Sequence, residues 1–235
     1  MTPTSPTAPP TASLRLWREL TGLPDGLAPG TRTVVRGSRG LCPPGWTGVL
    51  RLGDAHVVEA GQADDDALEA LLALDDPADP TQVEALMRGA VLGPGHLAYL
   101  PDGTVPPPAP DDATDADPDE LAAWLVGQRP DEVEESSAAD LERARVVRRR
   151  GRIAGVAGWT TWPTGVAHVG VLVDPAHRGE GVGTDLGLAA SAAALADGLA
   201  PQWRAAGWNE PSRRLGARVG FIEVGCQLSI EAIGT

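Results

Sequence analysis

The sequence predicts an α/β chain in which a mixed, mostly antiparallel sheet flanked by helices is preceded by a smaller α/β N-terminal region. Three observations predict it. Arg143 to Arg149, Ile153 to Trp162 and Val166 to Asp174 are three runs rich in β-branched residues, separated only by Arg150-Gly151 and Pro163-Thr164-Gly165. Turns that short join neighbouring antiparallel strands. The third run stops at Asp174-Pro175 and gives way to a glycine-rich turn and then a long Ala/Leu-rich segment, the order strand, loop, helix. Finally, residues 101–118 combine Pro, Asp, Ala and Thr with almost no large apolar side chain, which is linker chemistry. The predicted organisation is a tail over 1–12, an α/β region of unassigned role over 13–100, a linker over 101–118 and the main domain over 119–235.

Composition narrows the function classes. A chain of 235 residues can hold one large or two small domains and bury a substantial core. Its net charge of -13 argues against nucleic acid, because counterion release needs a basic surface, and favours basic partners. No apolar run approaches the roughly 18 residues of a membrane span. Met1 to Ala12 is Thr/Pro-rich without the basic start and apolar middle of a signal peptide, so the expected location is the cytoplasm. Two cysteines, Cys42 and Cys226, are too few for a disulfide framework. His56 and His96 have no Cys or carboxylate at metal-ligand spacing, and no metal site is expected.

Taken in order, Leu14, Trp17 and Leu20 recur at helical spacing behind Ser13, which can act as an N-cap. Pro24 and Gly26 are expected to end that helix. Thr31 to Arg36, Gly48 to Leu52 and Ala55 to Ala60 read as strands, the last two joined by Gly53-Asp54. Helices are predicted over Ala67 to Leu74 and, capped by Thr81, to Arg88. His96 to Leu100 reads as a strand. Beyond the linker a helix spans Asp119 to Val126, and Gln128 to Asp140 reads as polar and irregular. The basic run Arg148 to Arg152 reads as a solvated hairpin turn. After the glycine loop, a helix runs to Asp197, Leu199 to Ala205 is a strand, Asn209 opens a last helix closed by Gly220, and Phe221 to Ile230 is the final strand.

The loop after the third strand has the chemistry of an anion site. The first turn of a helix leaves backbone N–H groups unpaired at the positive end of its dipole. Glycines at 179, 181 and 183 let the backbone approach a phosphate, and Arg178 adds a forked cation. A nucleotide-hydrolase P-loop needs a lysine, and the chain contains none. The dinucleotide fingerprint needs Gly-x-Gly-x-x-Gly, whereas the order here is Gly-x-Gly-x-Gly. What remains is Arg178-x-x-Gly181-x-Gly183, followed by a second signature, Asn209-x-x-Ser212 with Leu215 and Val219-Gly220-Phe221.

With both signatures in this order, the part of the chain from Arg143 onward resembles the GNAT superfamily of acyl-CoA-dependent N-acyltransferases, in the branch with an extra N-terminal region. The resemblance implies a GNAT-like sheet whose fourth strand splays from the fifth, with acetyl-CoA (coenzyme A) held in the opening. It implies Val171, Leu172 and Val173 as backbone partners of pantetheine. It sets the N–H groups of Arg178, Gly179, Gly181, Val182, Gly183 and Thr184 against pyrophosphate, and Asn209 and Ser212 along the distal arm. The implied activity is acyl transfer to a primary amine, on a small molecule or a peptide, by direct attack in a ternary complex; a homodimer is left open. One position departs from the family: Gly216 stands where a tyrosine often serves as acid, and the only tyrosine, Tyr99, is read as outside the core. A thiol with a pKa of about 8.5 can leave with water as proton source. His168, with an unperturbed pKa near 6.5, is the candidate base, against the competing role of a half-buried strand histidine. Glu134 and Glu135 are further carboxylates within reach of an amine, and one or two of Trp159, Trp162, Trp203 and Trp208 are candidates to line an acceptor pocket. A non-catalytic acyl-CoA sensor or interaction module is the alternative that Gly216 keeps open.

Overall fold

The computed structural model describes residues 8–23, 27–37, 40–87, 89–105 and 112–231. In chain order the elements are α1 (Thr11–Thr21), β1 (Arg32–Val35), β2 (Thr47–Leu52), β3 (Ala55–Glu59), α2 (Asp65–Leu72), α3 (Pro80–Met87) and β4 (Val91–Tyr99). Then come β5 (Ala113–Asp115), α4 (Pro118–Val126), α5 (Pro130–Glu135), β6 (Glu142–Arg149), β7 (Arg152–Trp162) and β8 (Val166–Val173). The chain ends with α6 (Val182–Ala196), β9 (Ala200–Ala206), α7 (Glu210–Val219) and β10 (Ile222–Ile230). They fall into two compact units, one drawn from Met1–Ala98, Ala205–Glu210 and Glu223–Thr235, the other from Tyr99–Arg204 and Pro211–Ile222.

In the first unit the strands run in the order β1-β3-β2-β10-β4. β2 and β3 form the expected hairpin, with Gly53 at φ 59° supplying the left-handed turn residue. β10 lies antiparallel to β2, from Gly225 opposite Leu52 to Ile230 opposite Thr47. The final strand therefore belongs to the N-terminal unit and not to the 119–235 domain in which the sequence placed it. Val49, Val58, Leu68, Leu71, Val83 and Leu228 form its core, closing α2 and α3 over one sheet face. Burial of each such side chain contributes about 1.5–3 kcal/mol.

Several boundaries move for identifiable reasons. α1 starts at Thr11, two residues before the expected cap, and Ser13 is buried with its Oγ donating to Pro10 O at 2.9 Å. The predicted stop at Pro24 and Gly26 lies outside the described residues; α1 ends at Gly22, in the left-handed conformation. Asp64 caps α2 by accepting the Ala67 N–H at 2.8 Å, so the helix starts at Asp65. Asp79 accepts the Thr81 N–H at 2.8 Å, so Asp79 caps α3 where Thr81 was expected to. β4 is longer than the predicted 96–100 strand.

The second unit orders its strands β9-β8-β7-β6-β5. β5 falls inside the predicted linker and pairs with β6, Thr114 opposite Val146. The β6–β7–β8 meander is as expected, antiparallel throughout. α6 covers one face, where Ala194 meets Trp159 and Ala167. α4 and α5 cover the other, where Trp124, Leu125 and Val133 pack on Val146, Val156 and Leu172. The α5 helix arises in a segment read as irregular: Pro130 fits a first turn, and Asp131 and Glu132 favour its positive end. The arginine run is not merely solvated. Arg148 pairs with Glu120 and Arg149 with Asp112 at 2.7 Å, tying the β6–β7 hairpin to the segment before it.

Candidate functional site

β8 is the strand on which the site is built. Its antiparallel ladder to β7 is continuous from Val166 opposite Trp162 to Val173 opposite Gly155. Its parallel ladder to β9 is not: it runs from Val166 opposite Ala200 to Val169 opposite Trp203 and then ends. From Gly170 to Val173 the strand is thus paired on one edge alone, and the two strands part as the resemblance implied. The Asp174 N–H donates to Ala154 O on β7 at 2.9 Å. Backbone polarity alternates along a strand, so Leu172 also turns its amide toward β7, while Val171 and Val173 turn theirs into the opening. The Val173 carbonyl is taken by Arg178 Nε at 3.3 Å. Of the three residues assigned to pantetheine, Val171 and Val173 have the required direction. Leu172 does not, and its side chain is buried in the α4/α5 core.

The loop between β8 and α6 presents donors. Asp174 caps the single turn Pro175–His177 by accepting the Ala176 N–H at 2.9 Å. Gly179 and Gly181 have φ of 85° and 88°, a region that other residues enter only with strain, and a Cβ on either would point into open space. Gly183 is glycine for another reason: a Cβ there would lie 3.1 Å from Leu215 and 3.4 Å from Val173, so it permits α7 to pack on α6. No side chain caps α6. Among the described residues the N–H groups of Gly179, Gly181, Val182 and Gly183 have no protein acceptor, whereas Thr184 N–H already donates to Gly181 O at 2.9 Å and Arg178 N–H to Pro175 O at 3.5 Å. Four of the six predicted amide donors are therefore open to an anion, and the unpaired edge of β8 leads up to them. This donor set fits a pyrophosphate carried on an extended amide-bearing arm. The Arg178 guanidinium is held by Glu132 of α5 at 2.6 Å, and His177 by Glu180 at 3.1 Å.

On the α4/α5 side of the same strands stands a second group. His168 is opposite Gln202 in the β8–β9 ladder, and Arg204 is two residues further along β9 on the same face. His168 stacks on Trp162 with ring centroids 5.2 Å apart. Gln202 is fully buried and donates to Tyr99 Oη. Burial, with the Arg204 charge beside it, pushes His168 down to about 4, and Gln202 offsets this only in part. The imidazole is consequently neutral near pH 7, a departure from the value near 6.5 expected of it. Burial likewise lowers Arg204, against the opposing pull of Glu135 and Tyr99. Tyr99, read from the sequence as outside the core, is part of this unit and 1% exposed. Sequence reasoning missed Gln202 and Arg204 as well, although a polar-polar alternation in a strand otherwise fit for burial was the available signal.

The remaining predicted residues separate. Ser212 accepts from Trp203 Nε1 at 3.0 Å. Asn209 lies in the segment Ala205–Glu210 of the first unit, its N–H donating to Ala206 O at 2.8 Å. Gly216 packs against Trp203, whose ring would be 3.1 Å from an added Cβ, so a side chain here would press on the indole. Trp159 and Trp203 are core residues at 1% and 4% exposure, and Trp208 is exposed. Only Trp162 of the four stands beside the polar group.

Residues 109–221 match the acetyltransferase (GNAT) family. Among curated proteins none matches the sequence significantly. Among solved structures, a GCN5-related N-acetyltransferase-like protein from Streptococcus suis is similar at 16% identity and a TM-score of 0.50, over 93% of this chain and 98% of that one. A GNAT-family protein from Novosphingobium aromaticivorans is similar at 23% identity and a TM-score of 0.50; the match covers 60% of this chain and 64% of that one. These likenesses speak for the fold. The sheet that parts after Val169, the amide-lined loop opened by Arg178 and the family match agree: the segment over 109–221 is a domain of the GNAT superfamily, whose chemistry is acyl transfer.

Proposed function

We propose that the chain transfers an acetyl or similar acyl group from acyl-CoA to a primary amine by direct attack in a ternary complex. The observation that carries this reading is the end of the β8–β9 ladder at Val169 opposite Trp203, which frees the Val171 and Val173 backbone directly before a loop of unpaired amides. Gly179, Gly181, Val182 and Gly183 would hold the pyrophosphate through their N–H groups, with Arg178 alongside, and Val171 and Val173 would hydrogen-bond the pantetheine amides. Acyl-CoA would supply an activated thioester when bound. The Val171 N–H would polarise the thioester carbonyl. The amine nitrogen would form a C–N bond as the C–S bond breaks, with the sulfur leaving as thiolate and the nitrogen giving up a proton. His168 would receive that proton, directly or through one water, a role supported by its being held neutral.

The filled position at Gly216 favours a second reading, a module that binds acyl-CoA without turning it over. Thiol release from acetyl-CoA across a panel of primary amines separates the two. Amine-dependent release is expected. Tight coenzyme A binding with no amine-dependent release would establish the sensor instead. The chain contains no lysine, so self-acylation of lysine side chains contributes no background.

A further inference from the structure

We propose that the acceptor is an amine that also carries a carboxylate, and that Arg204 is the residue that binds this carboxylate. The proposal rests on the amine-transfer reading above and deepens it. Its basis is the side-chain group on the α4/α5 face of β8 and β9. Two hydrogen-bonding atoms there are buried without a partner, His168 Nδ1 and Gln202 Oε1. They are not scattered: the two residues face each other across the last part of the ladder before the strands part. With the imidazole proton on Nε2, Nδ1 accepts as the Gln202 carbonyl oxygen does, and a single ligand N–H group can serve both. Leaving buried polar atoms unsatisfied costs about 1–3 kcal/mol each, which a ligand amine at this point would recover.

Arg204 sets the rest of the ligand. It follows the last ladder pair by one residue, level with Gly170, which pairs with β7 alone, and points to the same face as Gln202. No side chain rises from β8 beside it. A Cβ on Gly170 would fall 2.1 Å from Ser136 O, so backbone from the end of α5 fills that space and walls the site. Glu135, from the same turn, faces Arg204 and raises its pKa, as does Tyr99. A guanidinium offers five N–H donors in a fork, and a single carboxylate engages two. Even with Glu135 engaging two of them, the fork keeps donors for a second anion. A cation so close to the reaction centre repels an ammonium group. The repulsion favours the neutral amine, and a carboxylate on the same ligand would offset it. An anionic acyl chain would also satisfy Arg204, but it brings no N–H for Gln202 and His168, and for that reason the acceptor is the assigned source.

The test pairs amino acids with their decarboxylated amines: phenylalanine with phenethylamine, histidine with histamine, lysine with cadaverine. Thiol release from acetyl-CoA and from succinyl-CoA is followed, and binding of each compound to the protein with coenzyme A is measured by calorimetry. The expected result is a kcat/KM for at least one carboxylated amine 100-fold or more above its decarboxylated partner. Arg204→Gln should reduce that ratio to within a few-fold of one, and Arg204→Gln is checked for unchanged coenzyme A affinity. Amine turnover with no carboxylate preference, or a preference for succinyl-CoA with plain amines, overturns the proposal and leaves the transferase reading standing. Carboxylate-dependent binding without turnover does the reverse. Absence of both sinks both. The wild-type comparison needs no variant, so a poorly folding Arg204→Gln does not protect the proposal.

Discussion

The loop from Arg178 to Thr184 and the group formed by Tyr99, Glu135, His168, Gln202 and Arg204 would, on the proposed function, be two ways of holding a polar ligand against one sheet. The loop does it with backbone: four amides left open by a tight turn and an uncapped helix start. Its residues are consecutive. The other group does it with side chains drawn from β4, α5, β8 and β9, brought to one face by strand register. Backbone recognition of an anion depends on local conformation, and it is indifferent to which side chains surround it. Side-chain recognition depends on topology. The first kind of site tolerates exposure, since unpaired amides are satisfied by water until a ligand arrives. The second is buried: His168 and Arg204 are accordingly shifted, and His168 Nδ1 and Gln202 Oε1 stand without a hydrogen-bond partner.

The contrast is broken most sharply at His168. If it receives the amine proton, His168→Ala should lower kcat on the order of 100-fold or more, the usual contribution of a positioned base, with coenzyme A affinity within a factor of two of wild type. Steady-state rates and a coenzyme A titration check both halves. A drop in affinity equal to the drop in rate would mean that the residue only supports the strand. The same burial predicts an acid-labile fold. Unfolded, the imidazole takes a proton as pH falls through about 6.5; folded, it resists until about 4. In that window the unfolded state binds more protons, so a contribution fully present above pH 6.5 is lost as pH falls toward 4, amounting to about 3 kcal/mol. His56, lowered mainly by burial, acts in the same direction. Denaturant unfolding between pH 7 and 4 should show a shallower loss for His168→Gln than for wild type; parallel curves would contradict the assigned shift.

How legible each region is in the sequence follows from the same distinction. The loop was readable because its glycines, its Arg178 and the preceding apolar run are contiguous, and two of its three glycines take the positive φ that such a turn requires. The third, Gly183, serves a helix contact with Leu215 thirty-two residues away, which no local pattern encodes. The β6–β7–β8 meander was readable from its two- and three-residue turns. Unreadable were the elements that tertiary pairing decides: β5, a three-residue strand amid Pro and Asp that exists because β6 offers it an edge, and β10, whose partner β2 lies far back in the sequence. Tyr99 was misplaced for the same reason. Its register at the end of β4 brings it to Gln202, and nothing near residue 99 announces this.

The loop's own contribution is tested at Arg178. Removing a charged, forked donor from a phosphate removes about 1.5–3 kcal/mol, so Arg178→Ala should weaken coenzyme A by roughly 10- to 100-fold and leave kcat at saturating acyl-CoA near wild type. That separation distinguishes it from His168→Ala, where the rate and not the affinity should fall. Dephospho-coenzyme A, which keeps the pyrophosphate but lacks the ribose phosphate, should lose a similar factor on the same substitution. Loss confined to full coenzyme A would move Arg178 from the pyrophosphate to the distal arm.

The smallest effect joins the two regions. Glu132 pairs with Arg178 at 2.6 Å, with 24% of its own side chain and 48% of the arginine's exposed. Three residues on, at the end of the same short helix, Glu135 faces Arg204. Thus α5 sets one carboxylate toward each site. An anion arriving at Arg178 must compete with Glu132, and an ion pair this exposed is worth about 0–1 kcal/mol. Glu132→Gln should therefore tighten coenzyme A by no more than about five-fold, with the gain shrinking as salt is raised because screening already weakens the pair. If Arg178 instead depends on Glu132 for its position, affinity falls rather than rises, and the sign of the change in a coenzyme A titration decides between competition and support.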